Sequence, residues 1–355
     1  MAWEYWVLLA ISLGASFLLT PCFRALAQWL DFTDRPSARK VHRQPIPYLG
    51  GLSFFMSMTL ALIAGWWFMP YLFAETYTEL LSLYWVALAF LLLGIYDDAF
   101  GISASLKLVM QTFLTLILVF SGFTITQMSN PFGGVIALGW VGYILSILWI
   151  LTIVNAINFI DGLDGLAAGV VLFAALANLA IALDPWQHFI CLISLILIGS
   201  TLGFLPYNFS PASIFMGDAG SLYLGVLLAG SSLASNVKGA TAMSLALPLV
   251  ILAIPLTDTV LTVIRRGKRG RSLFSADREH LHHRLLRLGF SDRQVVIVVY
   301  GLCFLLSMAA VLASKLPTQY SILFIFVFLA AVAWGMMVFR SFERRIINAT
   351  AKPTG

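Results

Sequence analysis

Residues 135–157 read VIALGWVGYILSILWILTIVNAI, and residues 158–165 continue them as NFIDGLDG. The first stretch carries no charged side chain, and as a helix rising about 1.5 Å per residue it exceeds the roughly 30 Å hydrocarbon core of a bilayer. Its apolar residues fall all round such a helix instead of alternating, which excludes a barrel strand of about 10 residues. The second stretch turns polar at once. The pair reads as a membrane-spanning helix that delivers two aspartates to one membrane surface.

Further apolar runs occupy residues 4–23, 48–69, 82–96, 107–126, 165–183, 188–206, 219–235, 241–264, 294–314 and 319–339. Together they make about eleven spans, so the expected fold class is all-α, a polytopic integral membrane protein. Composition agrees, with 60% of the 355 residues hydrophobic and 10% charged, against about a quarter charged in a soluble domain. The run 82–96 is short and is expected to extend by a turn. With no internal repeat or low-complexity stretch, the chain reads as one domain over 1–355, with active-site loops near 24–47, 97–107, 157–165, 207–220 and 265–293.

Orientation follows from the basic residues, which concentrate on the cytoplasmic side. All of the 21 Lys and Arg except Lys238 and Lys315 fall on the side of the loops that follow odd-numbered spans. That places the N-terminus outside and the C-terminus in the cytoplasm. The first run lacks a basic n-region and a cleavage site, so it reads as a retained helix. Net charge of +5 then reflects membrane-side loops that attract anionic head groups and substrates, with no call for nucleic acid. Cys22, Cys191 and Cys303 lie in apolar runs without metal-type spacing and read as packing residues.

Acidic residues near membrane depth are costly and mark function. Asp97 and Asp98 close the third run in GIYDDAFG, Asp161 and Asp164 follow the fifth, Asp218 precedes the eighth in FMGDAGS, and Asp258 lies inside the ninth. Apart from Asp258, all gather at span ends on the cytoplasmic side. Carboxylates sharing a small volume need a cation between them, and a hard ion such as Mg²⁺, or Mn²⁺, suits oxygen donors. Zinc spacing of Cys and His is absent. Three positions apart, Asp161 and Asp164 would share one face if the next helix starts there. Asn155 and Asn158 precede them, as ligand readers or as interhelical hydrogen-bonding groups. Helix capping is the structural alternative for any one aspartate.

The longest cytoplasmic loop, 265–293, is rich in Lys and Arg and holds His280, His282 and His283 in HLHHR, a compact donor cluster for phosphate. A second basic segment, TDRPSARKVHRQPIPYLGG, precedes the second span, and Lys107 begins the fourth. Carboxylates on one side and cations on the other are the layout of phosphoryl transfer. No GxxxxGK[ST] loop is present, which disfavours an ordinary nucleotide triphosphatase.

In RKVHRQPIPYLGG, YDDAFG, NAINFIDGLDGL, NFSPASIFMGDAGS and DREHLHHRLLRLG, taken in that order, the sequence resembles the polyprenyl-phosphate N-acetylhexosamine-1-phosphate transferase superfamily. The HLHH form and the apparent span count are more similar to its N-acetylglucosamine branch than to its muramoyl-pentapeptide branch. The resemblance implies that Asp218 binds Mg²⁺, that Asp97 and Asp98 are the paired aspartates of the catalytic centre, and that Lys107 is an active-site lysine. It implies a sugar-nucleotide pocket at Asn158, Asp161 and Asp164, uracil contacts at Asn208 and Phe215, a basic pocket position at Arg43, and a pyrophosphate-facing loop at Arg266, His280, His282 and His283. The chain departs from the DDxxD form, since Ala99, Phe100 and Gly101 follow the pair.

The implied reaction moves N-acetylglucosamine 1-phosphate from UDP-N-acetylglucosamine to undecaprenyl phosphate at the cytoplasmic face of the inner (plasma) membrane, releasing UMP. Another UDP-N-acetylhexosamine is the alternative within the class. A secondary transporter is the alternative outside it, and would place its acids near the midplane between two repeats. A homodimer is compatible with the sequence, but no motif demands one.

Overall fold

In the computed structural model, residues 3–34, 45–130, 134–183, 187–237 and 285–350 are described. Among these residues ten long helices run in chain order: α1 (Trp3–Trp29), α2 (Gly50–Phe68), α3 (Pro70–Phe100), α4 (Ala104–Phe120), α5 (Trp140–Ile160), α6 (Leu166–Ala182), α7 (His188–Asn208), α8 (Gly217–Val237), α9 (Asp292–Ser314) and α10 (Thr318–Thr350). Two small antiparallel hairpins join them. β1 (Thr33–Asp34) pairs with β2 (Ile46–Pro47), and β3 (Gln127–Ser129) pairs with β4 (Val135–Ala137). Among the described residues, seven helices are long and apolar enough to cross a membrane. The ninth apolar run, with Asp258, lies outside the described residues.

α8 forms the centre. α3 and α5 flank it, α2 and α7 also touch it, α1 lies along α7 and α2, and α6 packs against α7 and α9. α7 is buried along most of its length, whereas the apolar window of α10 lies on the surface. Large apolar side chains on that outer surface, such as Trp67, Phe120 and Phe326, suit a lipid surround.

In hydrocarbon, burying apolar groups does not draw helices together, so close contact and hydrogen bonds must. The sequence 199–203, GSTLG, supplies both. Gly199 and Gly203 lie one turn apart on α7 against α1, where a Cβ at Gly203 would come 2.8 Å from the Phe17 nitrogen. Beside them the Ser16 hydroxyl donates to the Ser200 carbonyl at 2.7 Å, and the Ser57 hydroxyl ties α2 to the Ser12 carbonyl at 2.7 Å. Because the obstructing atoms are backbone, Gly203→Leu should cost about 3 kcal/mol, read as a lower melting temperature in detergent. Gly335→Leu, on α10 with open space beside it, should leave the melting temperature unchanged.

Two expectations are corrected. The span expected from residue 135 begins at Trp140, because Val135–Ala137 pair as a strand and Gly139, with φ 50° and ψ −132°, breaks the chain in a conformation that suits only glycine. The short third run is one part of a 31-residue helix that starts with Pro70 in its first turn, where a missing N–H costs nothing. The extension exceeds a turn because residues 71–81, YLFAETYTELL, hold no Gly or Pro to stop the helix, and from Phe73 they continue the apolar run as one span to Phe100.

Candidate active site

α3 ends in the acids. Gly101 closes the helix in the left-handed region, and the chain reverses so that the Ile102 N–H donates to Asp97 Oδ1 at 2.9 Å. Asp98, one position on, points to α8 instead. Its two oxygens accept the N–H groups of Asp218 and Ala219 at 3.0 and 3.1 Å. A carboxylate there caps the first turn of α8 and meets the positive end of its dipole. The cap thereby fixes where Asp218 stands. Gly217 makes this possible with φ +69°, and any Cβ there would run into the Asp98 carboxylate. Gly217→Ala should therefore lower turnover by about 100-fold by shifting Asp218, measured as initial rate on folded protein.

α4 brings the cation. Ser103 caps it by accepting the Leu106 N–H at 3.3 Å, which orients the first turn and Lys107 within it. The Lys107 side chain is only 13% exposed, and its ammonium lies 2.8 Å from Asp97 Oδ2, in contact with Asp218 Oδ2 and 3.3 Å from Asn158 Oδ1. From α5 the Asn158 amide donates to Asp218 Oδ1 at 2.7 Å and to the Ser221 hydroxyl at 2.8 Å. Four helices, α3, α4, α5 and α8, thus meet in one network of charge-assisted bonds.

Beside this network opens a cleft of about 620 Å³, within the usual range for ligand pockets. Of the residues singled out from the sequence, Asp97, Asp98, Asp161, Asp164, Asn208, Phe215 and Asp218 line it. Asp161 and Asp164 do not share a helix face as expected. Asp161 caps the end of α5, and α6 starts only at Leu166, after Gly165 at φ 79°. The two acids occupy the tight turn between, because IDGLDG holds too many turn-forming residues to continue a helix. Burial, then the charges of Asp218, Asp98 and Asp164, push the Asp161 carboxyl well above its ordinary range, although its side chain keeps some surface open to the cleft.

Asp164 Oδ2 accepts the Ala212 N–H at 2.8 Å, and buried Asn208 bridges Gly165 and Ile214, accepting from one N–H and donating to the other carbonyl at 3.0 Å each. Both halves of the Asn208 amide therefore serve to hold the 209–216 loop. That loop is braced a second time by the first hairpin. The Phe215 N–H donates to the Pro47 carbonyl at 2.8 Å, and the Gly50 N–H donates to the Phe215 carbonyl at 3.0 Å. The Phe215 ring lies 6.4 Å from the Tyr48 ring, making one aromatic wall of the cleft.

Arg43, Arg266, His280, His282 and His283 lie outside the described residues. Sequence reasoning missed Asp34, Tyr48 and Asp292, which also line the cleft, and Ser221. Asp34 is the second residue of TDRPSARK, a segment read for its positive charges alone, and Ser221 follows Asp218 by three positions, the helical spacing that would have shown it. Tyr48 hydrogen-bonds Asp34, and burial, then that carboxylate, raise its phenol.

Among the described residues no three acidic, Cys or His side chains form a metal cage. Asp97 and Asp218 nevertheless turn oxygens onto one ammonium, so positive charge is already held there by hard donors. That donor set fits a cation bound by one or two carboxylates and completed by substrate oxygens and water.

Helix bundle and cleft together define a multi-pass membrane protein with an acid–lysine centre at one end of its helices. Residues 80–236 match the model of glycosyl transferase family 4. The chain is 36% identical over 318 residues to the probable undecaprenyl-phosphate N-acetylglucosaminyl 1-phosphate transferase of Bacillus subtilis, covering 89% of this chain and 87% of that protein. It is 36% identical over 308 residues to the decaprenyl-phosphate N-acetylglucosaminephosphotransferase of Mycobacterium tuberculosis, covering 80% and 76%. It is 30% identical over 343 residues to the undecaprenyl-phosphate alpha-N-acetylglucosaminyl 1-phosphate transferase of Escherichia coli O157:H7, covering 92% and 90%. The chain belongs to glycosyl transferase family 4, among its membrane sugar-phosphate transferases.

Proposed function

We propose that the protein transfers N-acetylglucosamine 1-phosphate from UDP-N-acetylglucosamine to undecaprenyl phosphate, giving undecaprenyl-pyrophosphoryl-N-acetylglucosamine and UMP, as the first membrane step of a cell-envelope polysaccharide. The observation that carries this reading is Lys107 held between Asp97 and Asp218, two aspartates that line a nucleotide-sized cleft. The relatives' names support both the sugar and the lipid acceptor. In the same reading the chain has eleven spans, its N-terminus lies outside, and the cleft faces the cytoplasm across the inner membrane.

A phosphate oxygen of the lipid attacks the β-phosphorus in line. The bond from that phosphorus to the bridging oxygen breaks, and the oxygen departs with UMP. The lipid phosphate has a second pKa of about 6 and is largely ionised at neutral pH, so placing it matters more than deprotonating it. Mg²⁺, or Mn²⁺ as the alternative hard ion, would be held by Asp218 with Asp97 beside it and supplies charge neutralisation on the pyrophosphate oxygens. Lys107 adds fixed positive charge at the same place, Asn158 holds Asp218 in register, and the Phe215 ring, tilted 50° from that of Tyr48, offers a flat face to a base. Asp98 has both oxygens committed to backbone N–H groups, so its part is to orient and not to act as a covalent nucleophile.

The test is UMP release by the purified protein with undecaprenyl phosphate, Mg²⁺ and a panel of UDP-sugars given singly. Release with UDP-N-acetylglucosamine that stops with a chelator is expected. Release only with another UDP-N-acetylhexosamine would keep the chemistry and change the donor, and no release from any donor by folded protein would reject the transferase reading.

A further inference from the structure

Beneath Lys107 the face that α4 turns to the protein is polar. The buried residues of α4 are Gln111, Thr115, Leu118 and Val119, so in its first three turns only Gln111 is fully enclosed. Lys107 lies one turn before it and faces the same way. On α5, Asn155 and Asn158 are likewise one turn apart. The two helices therefore meet in two rungs: Lys107 donates to Asn158 at 3.3 Å, and the Asn155 amide donates to Gln111 Oε1 at 2.8 Å while also donating to the Leu151 carbonyl at 2.8 Å. That second bond fixes which way the Asn155 amide points, and hence which end of Gln111 it meets.

The lower rung is an incomplete fit. Gln111 Nε2 and the Thr115 hydroxyl are buried with no hydrogen-bond partner among the described residues. A buried amide with an idle donor is poor material for holding helices together, because it forfeits hydration and gains nothing on that side. An apolar side chain of the same length would pack there more cheaply. Gln111 does one thing such a side chain cannot: it locks the rotation of α4 about its axis to α5. The apolar packing of α4, through Leu114, Leu118 and Val119, lies further along the helix, so at the Lys107 end that rotation decides where the ammonium lands.

We propose that Gln111 is a positioning residue for the transfer reaction, acting through Asn155 to hold α4 in the register that seats Lys107 between Asp97 and Asp218. The inference rests on the reading of that cluster as the reaction centre, so its test includes an arm that needs no turnover. Gln111→Met keeps length and removes the rung, and Asn155→Ala removes it from the other side. Each variant is compared with the wild type for acylation of Lys107 by a small amine-reactive reagent, followed by peptide mass spectrometry, and for kcat and KM of UMP release.

Faster labelling of Lys107 in both variants is expected, with an unchanged or higher melting temperature for Gln111→Met. The kcat should fall about tenfold or more while KM for the UDP-sugar stays within about twofold. In a Lys107→Ala background Gln111→Met should cause no further loss, since the two act through one group. Labelling of Lys107 at the wild-type rate in both folded variants would overturn the proposal whether or not the enzyme turns over. An undiminished effect of Gln111→Met in the Lys107→Ala background would overturn it as well, by showing a structural role alone.

Discussion

Asp218→Asn should reduce turnover by at least about 1,000-fold while leaving a protein that purifies and melts like the wild type. Stability is spared because the backbone N–H of residue 218 still donates to Asp98, and an Asn oxygen still accepts from the Asn158 amide at the place of Oδ1. What disappears is the carboxylate that meets Lys107 and stands where a divalent cation would bind. The loss should fall on kcat, since the aromatic wall and the Asp164 turn that line the rest of the cleft are untouched. Steady-state UMP release over a range of Mg²⁺ checks this. Recovery at high Mg²⁺ would show that the residue tunes metal affinity only, and wild-type rates would remove Asp218 from the centre.

Lys107→Met should lower kcat by about 100- to 1,000-fold and at the same time tighten binding of a divalent cation to the free protein. The two effects have one cause. The ammonium occupies the space between Asp97 Oδ2 and Asp218 Oδ2, and removing it leaves two facing carboxylates without a countercharge. Like charges at such a distance are costly in a medium less polar than water, so a cation is drawn in more strongly. Turnover still falls, because the fixed positive charge that would offset the pyrophosphate is gone. Calorimetric titration with Mn²⁺ beside the rate assay separates the effects. Unchanged or weaker metal binding in a folded variant would place the cation away from Lys107.

Membrane helices were legible from the sequence wherever a long uncharged run stood alone, because nothing else satisfies so many backbone groups in lipid. α2, α7 and α9 fall close to their apolar runs for that reason. Their ends were harder to read. Val135–Ala137 are as apolar as the helix they precede, and only the conformation of Gly139 separates them. The acids were legible because a carboxylate at a span end is expensive, and five of them, Asp97, Asp98, Asp161, Asp164 and Asp218, share one cleft; Asn208 and Phe215, which join them there, were legible only through the resemblance.

How those acids are arranged was not legible. Paired aspartates look equivalent in YDDAFG, yet on a helix neighbouring side chains diverge by about 100°, so Asp97 turns to Lys107 and Asp98 to the start of α8. Spacing would put Asp161 and Asp164 on one face only if the next helix began there, whereas a turn closed by Gly165 at φ 79° holds them and α6 begins at Leu166. Asp34 reaches the cleft through a two-residue strand pairing too short to leave a pattern. Gln111, inside an apolar run, carried no signal beyond being polar where polarity is costly.

The most direct measurement follows the β-phosphorus. The protein is supplied with undecaprenyl phosphate, Mg²⁺ and UDP-N-acetylglucosamine radiolabelled at the β-phosphate, and lipid and aqueous products are separated. Transfer of the sugar phosphate predicts the label in the lipid fraction, with unlabelled UMP formed in equal amount. Label retained in released UDP, with sugar on the lipid, would mean attack at the sugar carbon instead and would contradict phosphoryl transfer at the Asp97–Lys107–Asp218 centre.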